Sequence, residues 1–508
     1  MRKFGFGAKA AVVASAALAV QASTALFYSG SWWGVLAGAL IALVCITRWA
    51  TWLNKTGLLA LFMAGLLAVA LFNDPGLLGW VLFWVALSVA TLSPRIRHFD
   101  DALLWSGRLL RQALSGPLTV PRDVRRLVRV AGRRPHSGAR AWVRLLWLPL
   151  AGTALFVALF AIANPLIADA LARVRLPSVE GALVWAFVAL MIWPIVRPHP
   201  WATRMATPSR AGMRLGETSL PSLLIALGLF NIVFAIQNAL DLVFLWSGAP
   251  LPAGVTLADY AHRGAYPLIA TALLAGGFVL AMLRPGTATA ASPLAQKLVI
   301  AWVAQNVLLV ASSALRTADY VAALGLTEWR LAALAWMALV ALGLVLIVVR
   351  LVTGRSGRWL INANALAATT ALLVASVIDL GAVSASHNVA HARQAGGDGA
   401  PIDLCYLGDL ESSGLLPLVA LEARPLSPEL RGQVVRLRAQ VMASLAEDQE
   451  DWRSWTWRGA RRLATATARL GPSPVRPPAL SDDQWVACDG SVQTPAPPEP
   501  PPPGHPAD

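Results

Sequence analysis

The side chains in this sequence best suited to chemistry are polar groups set inside long apolar runs. One run carries Asn231, Gln237, Asn238 and Asp241, and another carries Gln305, Asn306, Ser312, Ser313 and Arg316. At a helical repeat Asn231, Asn238 and Asp241 fall near one face, and Gln305, Ser312 and Arg316 share a stripe. Amides in such places hydrogen-bond to neighbouring helices and glue them together. A carboxylate or guanidinium there is costlier and normally faces a bundle interior or a cavity. Asp241 and Arg316 lie near the ends of their runs, so snorkelling to an interface is an open alternative. A second set sits in or beside the adjoining loops, at Asp259, Tyr260, His262, Arg263, Asp319, Tyr320 and Arg330, with Glu328, Asp379 and His387 near the same face. Arg263, Arg316 and Arg330 could hold a phosphate or carboxylate by paired hydrogen bonds. Acids and arginines gathered at one face can also close on each other as a salt-bridged lid.

The runs that position these residues number about eleven, at roughly 8–28, 31–47, 57–73, 76–93, 145–168, 180–196, 219–246, 266–283, 294–315, 329–350 and 360–381. About eighteen apolar residues suffice to cross the hydrocarbon core, because a helix satisfies its own backbone where no water is available. The runs at 31–47 and 57–73 are near the short limit, so either could be re-entrant. Hydrophobic residues make up 56% of the 508 and charged residues only 14%, against about a quarter in soluble domains. Many of the 21 tryptophans stand near run ends, including Trp32, Trp33, Trp80, Trp147, Trp193 and Trp246, as in an aromatic belt. The fold class is therefore all-α: a polytopic transmembrane bundle of about eleven spans, a small helical C-terminal extramembrane domain and a disordered proline-rich tail.

The net charge of +15 could point to nucleic acid. In such an apolar chain it reads instead as the positive-inside pattern, and no nucleic-acid partner is expected. Arg2, Lys3 and Lys9 place the N-terminus inside; Arg48 and Lys55, Arg197 to Arg214, Arg284 with Lys297, and Arg350 to Arg358 mark further inside loops. Residues 94–144 hold twelve arginines against three aspartates. Arg173 and Arg175 are exceptions on the opposite side. With eleven spans the N-terminus is cytoplasmic and the C-terminus periplasmic. The first 23 residues resemble a signal peptide; they are read as an uncleaved span because further spans follow at once, with cleavage near Ala22 as the alternative. The organisation expected is four N-terminal helices over 1–93, a basic cytoplasmic loop over 94–144, two helices and an inside loop over 145–214, a five-helix membrane domain over 215–395, an outer helical domain over 396–470 and a tail over 471–508. In the basic loop an amphipathic helix is expected around 101–114, with Leu103, Leu104, Leu110 and Leu114 on one broad face and Arg108 and Arg111 elsewhere. It would lie on the anionic inner surface or dock a protein partner.

Beyond Val383 hydropathy collapses. Residues 403–423 read as two short helices, and Ser427-Pro428-Glu429 opens a longer one carrying Leu430, Val434, Leu437, Val441 and Leu445 at helical spacing. Trp452, Trp455 and Trp457 precede a further helix to about Leu470, packing on the domain itself or the membrane surface, or else binding carbohydrate. Cys405 and Cys488 fall in the outer tail and are expected to pair, since disulfides persist in oxidising compartments. Cys45 lies in a span.

A weak repeat links the polar stripes to the loops: Gln237-Asn238 is followed by Ala258-Asp259-Tyr260 in the next outer loop, and Gln305-Asn306 by Ala318-Asp319-Tyr320. Residues 257–269 (LADYAHRGAYPLI) and 313–345 together resemble an uncharacterised bacterial family of polytopic membrane proteins, a domain of unknown function (4173 or 4153-like). Tyr260, Arg263, Gly264, Arg316, Tyr320, Gly325, Leu326, Thr327 and Arg330 carry the resemblance, which covers about 215–395. The family implies a multi-pass bacterial inner-membrane protein and no reaction or ligand. The chain shows no HExxH, no GxSxG and no nucleotide-binding glycine loop, and neither a metal nor a cofactor is expected. Three functions fit: first a non-catalytic envelope scaffold or sensor; then a transporter for a small anionic or lipid-like solute; then a membrane enzyme acting on lipid-linked substrates. Protein partners are not legible.

Overall fold

The structure is a computed structural model that describes residues 30–48, 54–96, 101–133, 179–203, 219–246, 292–472 and 484–493, with a few isolated positions besides. The expected runs at 8–28, 145–168 and 266–283, the possible signal segment, Arg173 and Arg175 fall largely or wholly outside these residues. Two compact units divide the chain.

The first unit contains most of α1 (Trp32–Thr47), α2 (Lys55–Asn73) and α3 (Leu77–Leu92), followed by α4 (Ala102–Arg133) and α5 (Val179–Val196). Asp74-Pro75 separates α2 from α3, because the residue before a proline is driven out of the helical region. Trp33 of α1 meets Trp80 of α3 edge-on, with ring centroids 5.0 Å apart. The loop after α1 is tied to the end of α3: Arg48 donates to the Thr91 carbonyl (3.1 Å) and Asn54 to that of Ser93 (2.8 Å).

The second unit holds α6 (Leu220–Asp241), α7 (Pro293–Leu324), α8 (Glu328–Thr353) and α9 (Gly357–Val377), then the shorter α10 (Leu380–His391), α11 (Leu404–Asp409), α12 (Ser412–Glu422), α13 (Pro428–Glu450) and α14 (Trp457–Leu470). Capping residues set most of the helix starts. Ser292, Thr327, Ser356, Asp379, Asp403, Ser427 and Thr456 each accept a backbone N–H in the first turn of α7, α8, α9, α10, α11, α13 and α14. Leu223, Leu227, Val299, Trp302, Val303 and Leu344 form the core between α6, α7 and α8. The C-terminal core is built from Leu407, Leu415, Leu418, Leu421 and Val434, all fully buried.

Among the described residues six helices are long and apolar enough to cross a membrane: α2, α3 extended to Arg95, α6, α7, α8 and α9. The α1 helix and Leu183–Val196 are apolar but shorter. This is an all-α membrane protein.

Four sequence expectations change. Ala318-Asp319-Tyr320 lies inside α7 and not in a loop, because falling hydropathy does not end a helix; Gly325, at φ +81°, does. The amphipathic helix runs to Arg133, and Leu104 is buried while Leu103, Leu110 and Leu114 are exposed, since it stands about 100° round the helix from their centre. The C-terminal core begins with α10, whose Ala385 and Val389 belong to it, earlier than residue 396. The region assigned to a disordered tail contains a two-stranded antiparallel hairpin, Trp485–Val486 with Val492–Gln493, too short to leave an alternating pattern.

Candidate functional site

The polar residues of α6 and α7 meet across one interface. Asn231 donates to the Leu298 carbonyl (3.0 Å) and accepts from Gln305 Nε2 (2.8 Å). Two turns further along, Asn238 donates to the Gln305 carbonyl (3.3 Å). Beyond it Arg316 and Asp241 form a buried ion pair, and Gln237 adds a hydrogen bond to the same carboxylate oxygen (3.1 Å). Past the end of α6, Trp246 donates its indole N–H to Ser312 (3.2 Å). Asn306 is buried but turned back onto its own helix, donating to the Trp302 carbonyl. The seam is one polar ladder, and its helices approach through hydrogen bonds that lipid cannot supply.

The ladder is incomplete in one respect. Asn238 Oδ1, Asp241 Oδ2 and Gln305 Oε1 are buried with no hydrogen-bond partner. All three are acceptors. A buried polar atom without a partner calls for a donor such as water or a ligand.

The remaining candidates do not join this seam. Arg330 stacks on Tyr320 (4.2 Å from guanidinium to ring centroid) and donates to the carbonyls of Leu324 and Gly325, so it closes the turn between α7 and α8. Asp319 is exposed. Asp259, Tyr260, His262 and Arg263 lie outside the described residues, so the outer-face cluster is seen only in part.

Two other groups carry more contacts; of their residues the sequence places Asp379 and Glu328 at the outer face, while it does not single out Asn388, Tyr406, Arg458 and Arg462. The first binds the α7–α8 turn to the C-terminal core. Asn388 of α10 exchanges two hydrogen bonds with the backbone of Leu326 (2.6 and 2.8 Å), and the Tyr406 hydroxyl accepts from the Glu328 N–H (3.0 Å) while paired with Ser384 (2.9 Å). A Cβ at Gly325 would stand 3.2 Å from the Asn388 oxygen, so both space and φ favour glycine. The second group centres on Asp379. Its carboxylate caps α10 through the Ala382 N–H, accepts from Ser413 (3.2 Å) and pairs with Arg462, with Arg458 at 3.5 Å. Arg458 also bridges to Asp74 (2.6 Å) and donates to the Val377 carbonyl. Burial pushes the Arg462 guanidinium below its ordinary value, opposed by the nearby Asp74 carboxylate. Beside this network Phe72 packs against Trp455 and Trp457, and Trp455 accepts the Ser31 N–H at its carbonyl (2.7 Å). In the sequence only the placement of Asp379 among the outer-face acids hints at this network; its partners in α12 and α14 do not.

Cys405 and Cys488 are joined in a disulfide that ties α11 to the hairpin. Beside it opens a cavity of about 570 Å³ whose lining includes Asp403, Glu429, Asp489, Gln394 and Gln433. Hydrogen bonds from Ser491 hold the Asp489 carboxyl below the usual range. Among the described residues no group of three His, Cys, Asp or Glu is arranged to hold a metal.

A family model described as a domain of unknown function (DUF4153) matches residues 35–421. The chain belongs to this family. The DUF4153 match runs from α1 to the end of α12, so it takes in the N-terminal helices as well as 215–395. It contains Asp241, Arg316, Asp379, Asn388 and Tyr406; Arg458, Arg462 and Cys488 lie beyond it. No curated protein and no solved structure matches the chain.

Proposed function

We propose that this protein is a non-catalytic scaffold of the bacterial inner membrane whose spans hold a disulfide-tied helical domain on the periplasmic side. The supporting observation is the Asp379 network, together with the Asn388 and Tyr406 bonds to the α7–α8 turn. These contacts fasten the C-terminal core to the ends of spanning helices at several points, as a fixed platform requires. The disulfide between Cys405 and Cys488 suits an oxidising compartment. The test combines topology with rescue. A C-terminal reporter active only in the periplasm should be active, and Asp379→Ala with Arg462→Ala should lose rescue of a deletion phenotype while the spans still insert. A cytoplasmic C-terminus, or full rescue by the double variant, would remove the proposal.

A transporter is the second reading, and the three open acceptors on Asn238, Asp241 and Gln305 favour it. Acceptors suit a solute that donates hydrogen bonds, or water, better than the anionic or lipid-like solute that the arginines suggest. Asn238→Leu should then abolish uptake of such a solute in vesicles without lowering the amount of folded protein. A catalytic role on lipid-linked substrates would require turnover by the purified protein.

A further inference from the structure

The α4 helix packs with its polar side inward. Gln112, Ser115 and Thr119 are all buried, and so is Arg108 beside the Trp105 ring. Gln112 donates to the Pro194 carbonyl of α5 (2.5 Å), and Asp123 accepts from the Trp193 indole (2.9 Å) and pairs with Arg197 (2.5 Å). Gly116 lies so close to α5 that an added Cβ would stand 2.2 Å from the Leu190 carbonyl oxygen. The opposite side carries Leu103, Leu110, Leu114 and Leu118, each 53–64% exposed. At about 100° per residue these leucines centre half a turn away from Gln112 and Thr119. In water this arrangement is inverted, because exposed leucine gains nothing and buried polar groups must find partners.

We infer that this leucine face lies in the membrane interface, with anionic phospholipid headgroups held at its C-terminal end. Lipid removes the disadvantage of exposed leucine and makes an internal polar seam the favourable choice. The chain is already membrane-embedded, and α5, the helix beneath α4, is itself apolar. Arg122 is exposed one turn beyond Leu118, where a phosphate would meet it. The surrounding 94–144 segment carries twelve arginines against three aspartates, so charge complementarity selects an anionic leaflet. Arg108 and Arg111 do not serve that purpose: one is buried, and the other lies over the Trp201 ring.

The test uses the full chain with Cys45→Ser and a nitroxide at Leu114→Cys, in phosphatidylcholine vesicles with and without phosphatidylglycerol. The label should collide more with oxygen than with a water-soluble nickel reagent, and a label at Arg461→Cys of α14 should show the reverse. Nickel-accessible Leu114→Cys, or a label shielded from both reagents by protein (a second copy or another segment of the chain), would overturn the assignment. Phosphatidylglycerol enrichment around the protein should fall about fivefold in Arg122→Gln, from about 1 kcal/mol per basic residue. Enrichment unchanged in Arg122→Gln would overturn the anionic-lipid assignment even if the leucines lie in lipid.

Discussion

Both α4 and α14 are amphipathic and arginine-rich, yet they turn opposite faces to the protein. α14 packs Leu463, Ala466 and Leu470 against the C-terminal core and leaves Arg461 and Arg469 exposed. α4 buries Gln112, Ser115 and Thr119 and leaves Leu110 and Leu114 outside. Burial of apolar surface is worth about 25 cal/mol per Å² only where water is the alternative. Where lipid is the alternative that drive vanishes, and unpartnered polar groups decide the packing. The direction of an amphipathic helix is thus a reading of the medium around it.

The largest effect expected from this contrast is at Ala466. Ala466→Asp would bury an unpaired carboxylate and should cost the C-terminal domain about 3–5 kcal/mol, read as a fall in its melting temperature and rapid proteolysis. Tolerance of this change would end the claim that α14 follows water-soluble packing. Next comes the disulfide, which closes a separation of 83 residues. Cys405→Ser should lower the stability of the same domain by about 2–4 kcal/mol, while hydrogen exchange in α4 stays as it was. An equal response in both helices would merge the two regimes.

Smaller effects test α4 itself. Gln112→Ala removes the donor to the Pro194 carbonyl and should cost about 1–3 kcal/mol, measured by thermal unfolding in detergent. Leu114→Ala should cost much less than the roughly 2–5 kcal/mol of a protein-core leucine. A core-sized loss at Leu114 would mean that protein covers that face. The smallest effect is electrostatic. Burial, and next the charge of neighbouring His391, push the His387 imidazole of α10 below its ordinary value. The folded state then favours neutral His387. Its stability contribution is complete above the unfolded value near pH 6.5 and is lost as pH falls from there through the folded value. His387→Gln should flatten the acid side of the C-terminal domain's melting curve; an unchanged curve would show that the pair does not contribute.

Much of the helix framework was legible because its signals are local. Apolar runs marked α2, α6 and α9 to within a few residues, and Ser427-Pro428 marked the start of α13. The end of α7 was missed because hydropathy falls several residues before Gly325. The hairpin was missed because its strands are two residues each. The pairing of Asp241 with Arg316 and of Asn231 with Gln305 could not be read from periodicity, which gives faces but not which faces meet. Asp379 was placed at the outer face by the sequence but its partner was not, and Asn388 and Tyr406 were not singled out; tertiary packing brought Arg462, Leu326 and Glu328 to them.

The sequence by itself determined that this is a helical membrane protein with a polar C-terminal domain, because the length and composition of each run are enough to choose between lipid and water. It also determined which residues would be costly if buried. Only the tertiary structure decided how those costs are met: internally between Arg316 and Asp241, across the domain at Asp379, and by turning α4 so that its polar face is inward. Those outcomes depend on residues tens to hundreds of positions apart, and no local pattern encodes their contact.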